Sequence, residues 1–172
     1  ADSVAPLHIF NLHSAGDTKA LLHFSKDRIP LISSHRGGPA RGYPENCLAT
    51  FTHTLRHTWS LLEIDPHYTK DSAIILMHDP TLDRTSTGHG KISDHSLAEI
   101  RQLFLKDRMG EVTRYRIPTL DEALEVAKGK TILILDQKDV SVSTWSSIRR
   151  HHHAESNAMV MCYSFEDART CY

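Results

Sequence analysis

Short apolar runs recur from Ile29 to the end of the chain, each stopped by polar or charged residues and followed by a stretch with helical spacing. That rhythm constrains the fold more than any other feature, because alternating strands and helices predict repeated βα units around a parallel sheet. Strands are predicted over Ile29–Ser34, Leu61–Tyr68, Ala73–His78, Thr131–Asp136 and Met159–Ser164. Ala73–Met77 is a continuous apolar run, as expected of a strand covered on both faces, and Pro80 follows its end. Helices are expected over Leu48–His57 and near Ser143–His153, with another beginning at Glu166. Ser96 with Glu99 and Thr119 with Glu122 form capping boxes that mark two further helix starts, and Gly129 stands where the second needs a left-handed cap. A helix is also expected in the segment 1–28, an N-terminal extension to the strand-bearing domain 29–172. Five strands in βα order fit an open doubly wound sheet as well as a barrel.

Composition narrows the function classes. Lys plus Arg number 20 against 21 Asp plus Glu, a net charge of -1, so no basic field gathers nucleic acid and none is expected as a partner. No apolar stretch has the length of a transmembrane span, and none is expected. The start, Ala1-Asp2-Ser3, suits the stub left by leader removal as well as a cut chain, and a periplasmic or secreted location is the expectation. Cys47, Cys162 and Cys171 are an odd number without a CxxC pair and are read as packing residues. His151-His152-His153 lies near a helix end, where consecutive side chains diverge rather than converge on an ion. The G-x-G-x-x-G fingerprint is absent, and Gly37-Gly38 lacks the lysine and hydroxyl of a phosphate-binding P-loop.

The residues at the strand ends carry more chemistry. Glu63 and Asp65 lie two apart on a predicted strand, so both carboxylates leave the same face and can share one hard cation. An ExD pair is often a solvated face, but here it is embedded among Leu61, Leu62 and Ile64, and a buried double charge calls for a counter-ion. His35 and His78 each follow a predicted strand at its C-terminal edge, where parallel α/β folds place their sites, and two imidazoles can act as general base and general acid. Arg36, beside the first histidine, is a bidentate partner for phosphate. Asp136 and Lys138 repeat the two-residue spacing and can add a third carboxylate and an ammonium.

Together these residues stand in an ordered set of motifs: SHRGGPARGYPENCLATF (34–51), LLEIDPHYTKDSAIILMHDPTLDRTSTGHGKISD (61–94), RIPTLDEAL (116–124), LILDQKD (133–139) and YSFEDA (163–168). The set resembles the glycerophosphodiester phosphodiesterases from about Leu21 onward. The resemblance implies an α/β chain of the (β/α)8 TIM-barrel type and one divalent cation, Mg²⁺ or Ca²⁺, at Glu63, Asp65 and Asp136. It implies acid–base catalysis by His35 and His78, phosphate contacts from Arg36 and Lys138, and a site shaped by Glu45 and Asn46. The implied reaction hydrolyses a glycerophosphodiester, a small or lipid-derived phosphodiester, to glycerol 3-phosphate and an alcohol. Asp136 stands where the family more often has glutamate, and Cys47 where threonine is commoner. A similar aspartate in the related spider-venom type phospholipases keeps phospholipase D-like cleavage of a lipid as an alternative, beside a non-catalytic phosphate-binding fragment. YSFEDA matches the fifth strand, so a barrel truncated after strand five is expected, completed by a longer protein or by a homo-oligomer.

Overall fold

The computed structural model describes residues 5–170. The central element is a parallel sheet of four strands: β1 (Ser33–Ser34), β2 (Leu61–Ile64), β7 (Leu133–Leu135) and β8 (Ala158–Val160). Two antiparallel pairs, β3 (Pro66–Tyr68) with β4 (Ile74–Leu76) and β5 (Phe104–Lys106) with β6 (Val112–Arg116), lie outside it. The helices are α1 (Ala15–Leu22), α2 (Leu48–His57), α3 (Leu97–Ile100), α4 (Leu120–Ala127), α5 (Val142–His151) and α6 (Phe165–Thr170).

The parallel strands are adjacent in the order in which the chain visits them, with Leu62 beside Leu133 and Leu133 beside Ala158. A doubly wound sheet reverses its strand order near the middle, whereas a singly wound barrel does not, so the order selects the TIM-barrel type of α/β fold. β2 is buried along its whole length, as a strand covered on both faces must be. One core joins the sheet to the helices through Phe51, Leu62, Leu120, Leu124, Leu135 and Trp145. A second, built on Ile75, Met77, Leu82, Ile100 and Leu105, packs the excursion that the chain makes between β2 and α4.

Three strand predictions change in detail. Leu61–Tyr68 breaks at Asp65, because Pro66 has no amide to continue a parallel ladder and the chain turns there into β3. The run Ala73–His78 becomes β4, antiparallel to β3, with Tyr68 opposite Ile74. The intervening loop, 69–73, is too short for a parallel crossover, which takes roughly a dozen residues. The strand expected as fifth is therefore the fourth of the parallel sheet. The apolar start of Ile29–Ser34 lies exposed, and only Ser33–Ser34 pairs, on the edge of the sheet. The β5–β6 hairpin had no counterpart among the expected strands. Its turn is closed by Asp107, whose carboxylate accepts the Met109 and Glu111 amides, with Gly110 at φ 83°.

The caps hold as expected. Ser96 and Thr119 cap α3 and α4 with reciprocal bonds to Glu99 and Glu122, and Gly129 follows α4 at φ 70°. The helix expected in the N-terminal extension is α1, and it closes the N-terminal end of the sheet. Leu12 packs with Leu61 and Ile132, and the Thr18 hydroxyl donates to the Ser156 carbonyl at 2.7 Å.

Candidate active site

At the other end of the parallel strands, Glu63, Asp65 and Asp136 bring carboxylate oxygens within 4.8 Å of one another. Each is placed by backbone. Glu63 is the buried penultimate residue of β2, Asp65 sits at the break after it, and Asp136 follows β7, its amide bonded to the Ile64 carbonyl at 2.9 Å. Glu63 is 7 % exposed and Asp65 is 0 % exposed, so the pair is a buried double charge.

The neighbours satisfy this charge only in part. Glu63 Oε2 accepts the Arg36 amide at 2.6 Å. Asn46 clamps Asp65 twice: its Nδ2 donates to Oδ2 at 2.7 Å, and its Oδ1 accepts the Asp65 amide at 3.0 Å. Lys138 Nζ lies 3.0 Å from Asp65 Oδ1 and 2.6 Å from Asp136 Oδ2. The Tyr163 hydroxyl donates to Asp136 Oδ1. Asp65 Oδ1 is buried, and among the described residues its one partner is the Lys138 ammonium at 3.0 Å, which Asp136 shares. Three carboxylates around one ammonium leave an excess of negative charge on hard oxygen donors, which suits a divalent cation.

The titration behaviour follows. Burial pushes the Glu63 carboxyl above its ordinary range; the Arg36 amide opposes this, and the Asp65 and Asp136 charges add to it. For Asp136, burial is outweighed by hydrogen bonds from Lys138 and Tyr163, and its carboxyl moves down. The Lys138 ammonium, also partly buried, is shifted up by its two carboxylate partners.

The turn after β1 carries His35 and Arg36. Gly37 and Gly38 have φ of 81° and 85°, and Arg36 shares the left-handed region at 52°. A Cβ on Gly37 would overlap the Phe51 ring, and one on Gly38 would come within 2.6 Å of Thr54 Oγ1, so the two glycines let the turn lie directly on α2. Thr54 then donates to the Gly37 carbonyl at 2.7 Å. His35 is exposed. Arg36 Nη1 meets both oxygens of Glu45 at 3.1 and 3.0 Å, while its Nε is buried without a partner.

His78 enters from the excursion. Its Nδ1 is 2.8 Å from Asp79 Oδ1. An ionised carboxylate only accepts, so Nδ1 carries the hydrogen and Nε2 is left for chemistry. Arg84 binds Asp79 through Nε at 2.6 Å and Nη2 at 2.9 Å, and Glu45 through Nη1 at 3.0 Å and Nη2 at 2.8 Å. These hydrogen bonds hold Asp79 well below the usual carboxylate range, and Arg84 with Arg36 lowers Glu45 against the effect of its burial. Buried His67 forms a second tie: its Nδ1 is 3.1 Å from Asp139 Oδ2 and its Nε2 is 3.3 Å from the His78 carbonyl.

The residues singled out in the sequence thus fall into two connected groups, the cation-type cluster with Arg36, Asn46 and Lys138, and the His78 limb reached through Glu45. Sequence reasoning missed Asp79, Arg84, Tyr163, His67 and Asp139 as members of the site. Asp79 was legible as an acceptor beside a histidine. Arg84 and Tyr163 gave no sign, since their partners Glu45 and Asp136 lie far away in the chain.

A parallel α/β sheet of barrel type with an acidic, phosphate-compatible site at its C-terminal edge defines the class. Residues 35–168 match the model of the Glycerophosphoryl diester phosphodiesterase family. The chain belongs to that family. A glycerophosphoryl diester phosphodiesterase of Parabacteroides distasonis superposes with a TM-score of 0.95 at 46 % identity, over 97 % of this chain and 59 % of that one. The glycerophosphodiester phosphodiesterase of Caldanaerobacter subterraneus subsp. tengcongensis is 36 % identical over 105 residues, 60 % of this chain and 43 % of the relative. The same fold recurs, at 24 % identity and a TM-score of 0.67, in an Oleispira antarctica phosphodiesterase solved with the product sn-glycerol-3-phosphate, over 83 % of this chain and 61 % of that one. This chain therefore spans roughly half of the relatives' length. Among the described residues no helix is long and apolar enough to cross a membrane.

Proposed function

We propose that this site hydrolyses glycerophosphodiesters to glycerol 3-phosphate and an alcohol, with one divalent cation, Mg²⁺ or Ca²⁺, held by Glu63, Asp65 and Asp136. The observation that carries the reading is the carboxylate cluster, three acids on one ammonium with Asp65 Oδ1 enclosed among them. A bound cation would supply Lewis-acid stabilisation of the phosphoryl oxygens. The Arg36 guanidinium and the Lys138 ammonium bind the phosphate, while Glu45 orients the guanidinium and Asn46 fixes Asp65. One of His35 and His78 takes the proton of the attacking oxygen and the other returns one to the leaving alcohol. The attacking oxygen is water or the glycerol hydroxyl, the latter giving a cyclic phosphate on the way. Family membership supports the reaction class; the contacts of Glu63, Asp65, Asp136, Arg36, Lys138 and His78 support their roles, and the role of His35 rests on its place beside Arg36 in the motif.

The test is release of glycerol 3-phosphate from glycerophosphocholine by the purified chain with Mg²⁺, Ca²⁺ or EDTA, with lysophosphatidylcholine run in parallel. Cation-dependent release from the first substrate is expected. Preference for the lipid would replace this reading with phospholipase D-like cleavage, and no release from either would reduce the chain to phosphate binding. Location in the periplasm or outside the cell, and a homo-oligomer that closes the sheet edges, remain part of the proposal; light scattering checks the latter.

A further inference from the structure

Arg84 touches no predicted site residue except Glu45, yet it joins the two halves of the site. One guanidinium makes two-pronged pairs with both Asp79 and Glu45, using all three of its nitrogens. Glu45 belongs to the loop of His35, Arg36 and Asn46, and both its oxygens are shared with Arg36. Asp79 belongs to the limb that ends β4, and its Oδ1 takes the His78 Nδ1 hydrogen. The path from one candidate catalytic loop to the other is thus Arg36, Glu45, Arg84, Asp79, His78, with cation and anion alternating from Arg36 to Asp79.

Resting on the hydrolytic reading above, we propose that Arg84 is a positioning residue that sets the ring orientation and tautomer of His78 and fixes the first loop relative to it. The physical argument has two parts. Without a donor fork, the Asp79 carboxylate is free to rotate away from His78, and the imidazole loses the bond that keeps its hydrogen on Nδ1 and its Nε2 lone pair toward substrate. Without the same fork, Glu45 keeps only Arg36 among the described residues, and the loop after β1 loses its side-chain tie to the His78 limb, although Gly42 still meets Asp107 further along. Lysine cannot replace it, because one ammonium lacks the planar set of donors that addresses two carboxylates at once.

Arg84→Ala and Arg84→Lys test this by kinetics and by ¹⁵N-imidazole NMR of the histidines, with His78 identified from the His78→Gln spectrum. Expected is a fall in kcat on the order of 10²-fold in both variants, the lower end of what a positioned acid–base group contributes, with KM little changed. In the spectra, His78 should pass from an Nδ1–H tautomer to an average of both. A variant that only melts earlier, with kcat and the His78 signals kept, overturns the proposal, as does full rescue by lysine. If Arg84→Ala does not fold, Arg84→Lys with its retained bulk and charge carries the same two readouts. Should the unsubstituted chain release no glycerol 3-phosphate, the hydrolytic reading fails, while the His78 signals still decide whether Arg84 orients that ring.

Discussion

The two limbs of the site are held by opposite means. The carboxylates of Glu63, Asp65 and Asp136 grow from the packed ends of β2 and β7, and Asp65 is fully enclosed. The side chains of His78, Asp79 and Arg84, on the excursion, are 33 %, 25 % and 47 % exposed. Water cannot substitute for a lost partner in the first limb, so its charge balance is a strict demand. In the second, water and salt compete with every ion pair, and geometry has to come from two-pronged contacts repeated in series. The contrast predicts that cation binding fails abruptly on substitution, whereas the acid–base limb degrades by steps.

The sharpest way to break the contrast is Asp65→Asn, which keeps volume and removes one enclosed charge. Cation-dependent release of glycerol 3-phosphate should fall at least ~10³-fold, and calorimetric titration with Mg²⁺ or Ca²⁺ should show no binding. An Asp65→Asn chain that binds and turns over normally would show that the cluster is not the cation site.

Asn46→Ala removes both arms of the clamp on Asp65 without touching a carboxylate. The outcome expected is an affinity for cation weaker by about 10–100-fold, the usual cost of losing an orienting partner behind a ligand. Affinity equal to that of the unsubstituted chain would mean that burial alone orients Asp65.

Thermal unfolding separates the limbs. At a cation concentration about 100 times Kd, linkage adds ~2.7 kcal/mol, which for a chain of this size raises Tm by about 5–10 °C. Asp79→Asn should keep this increment, since Asp79 lies in the other limb, and Glu63→Gln should lose most of it. Loss of the increment in Asp79→Asn would couple the limbs and dissolve the distinction.

The smallest effect is in pH, and its sign differs between Glu45 and Asp79 on one side and Glu63 on the other. Glu45 and Asp79 have lowered carboxyls, so their stabilisation is fully present above the unfolded value of roughly 4 and is lost as pH falls through the folded values. Glu63 has a raised carboxyl, so its contribution is fully present below the unfolded value and lost as pH rises through the folded one. In chelator-treated protein, denaturation curves should show the deficit of Glu45→Gln closing as pH falls below about 4, while Glu63→Gln gains on the parent as pH rises above about 4. Slopes of the same sign in both variants would contradict the assigned environments.

The sequence carried much of this arrangement because the Glu63–Asp65 pair, two of the three carboxylates of the cation-type cluster, is local in character. Two carboxylates on one strand, stops after apolar runs and capping boxes report geometry over a few residues. The direction of β4 was also legible in the short 69–73 loop, but the continuous apolar run Ala73–Met77 reads alike for a parallel or an antiparallel strand buried on both faces. In β6 exposure alternates strictly, with Val112, Arg114 and Arg116 outward, but the inward residues Thr113 and Tyr115 are only half-buried and polar-tipped, so the hydropathy of the segment does not show the alternation. Arg84, Tyr163 and the His67–Asp139 pair were out of reach for another reason: their meaning lies in partners that only tertiary structure supplies.

The fit of Gly37 against Phe51 has an evolutionary corollary. Because a methyl at 37 would overlap that ring and would also sit at a left-handed φ, a smaller residue at 51 relieves only the first constraint, and relatives that keep this turn are expected to keep glycine at 37. The His35–Arg36 turn therefore inherits its place from a core position on a helix that takes no part in the chemistry.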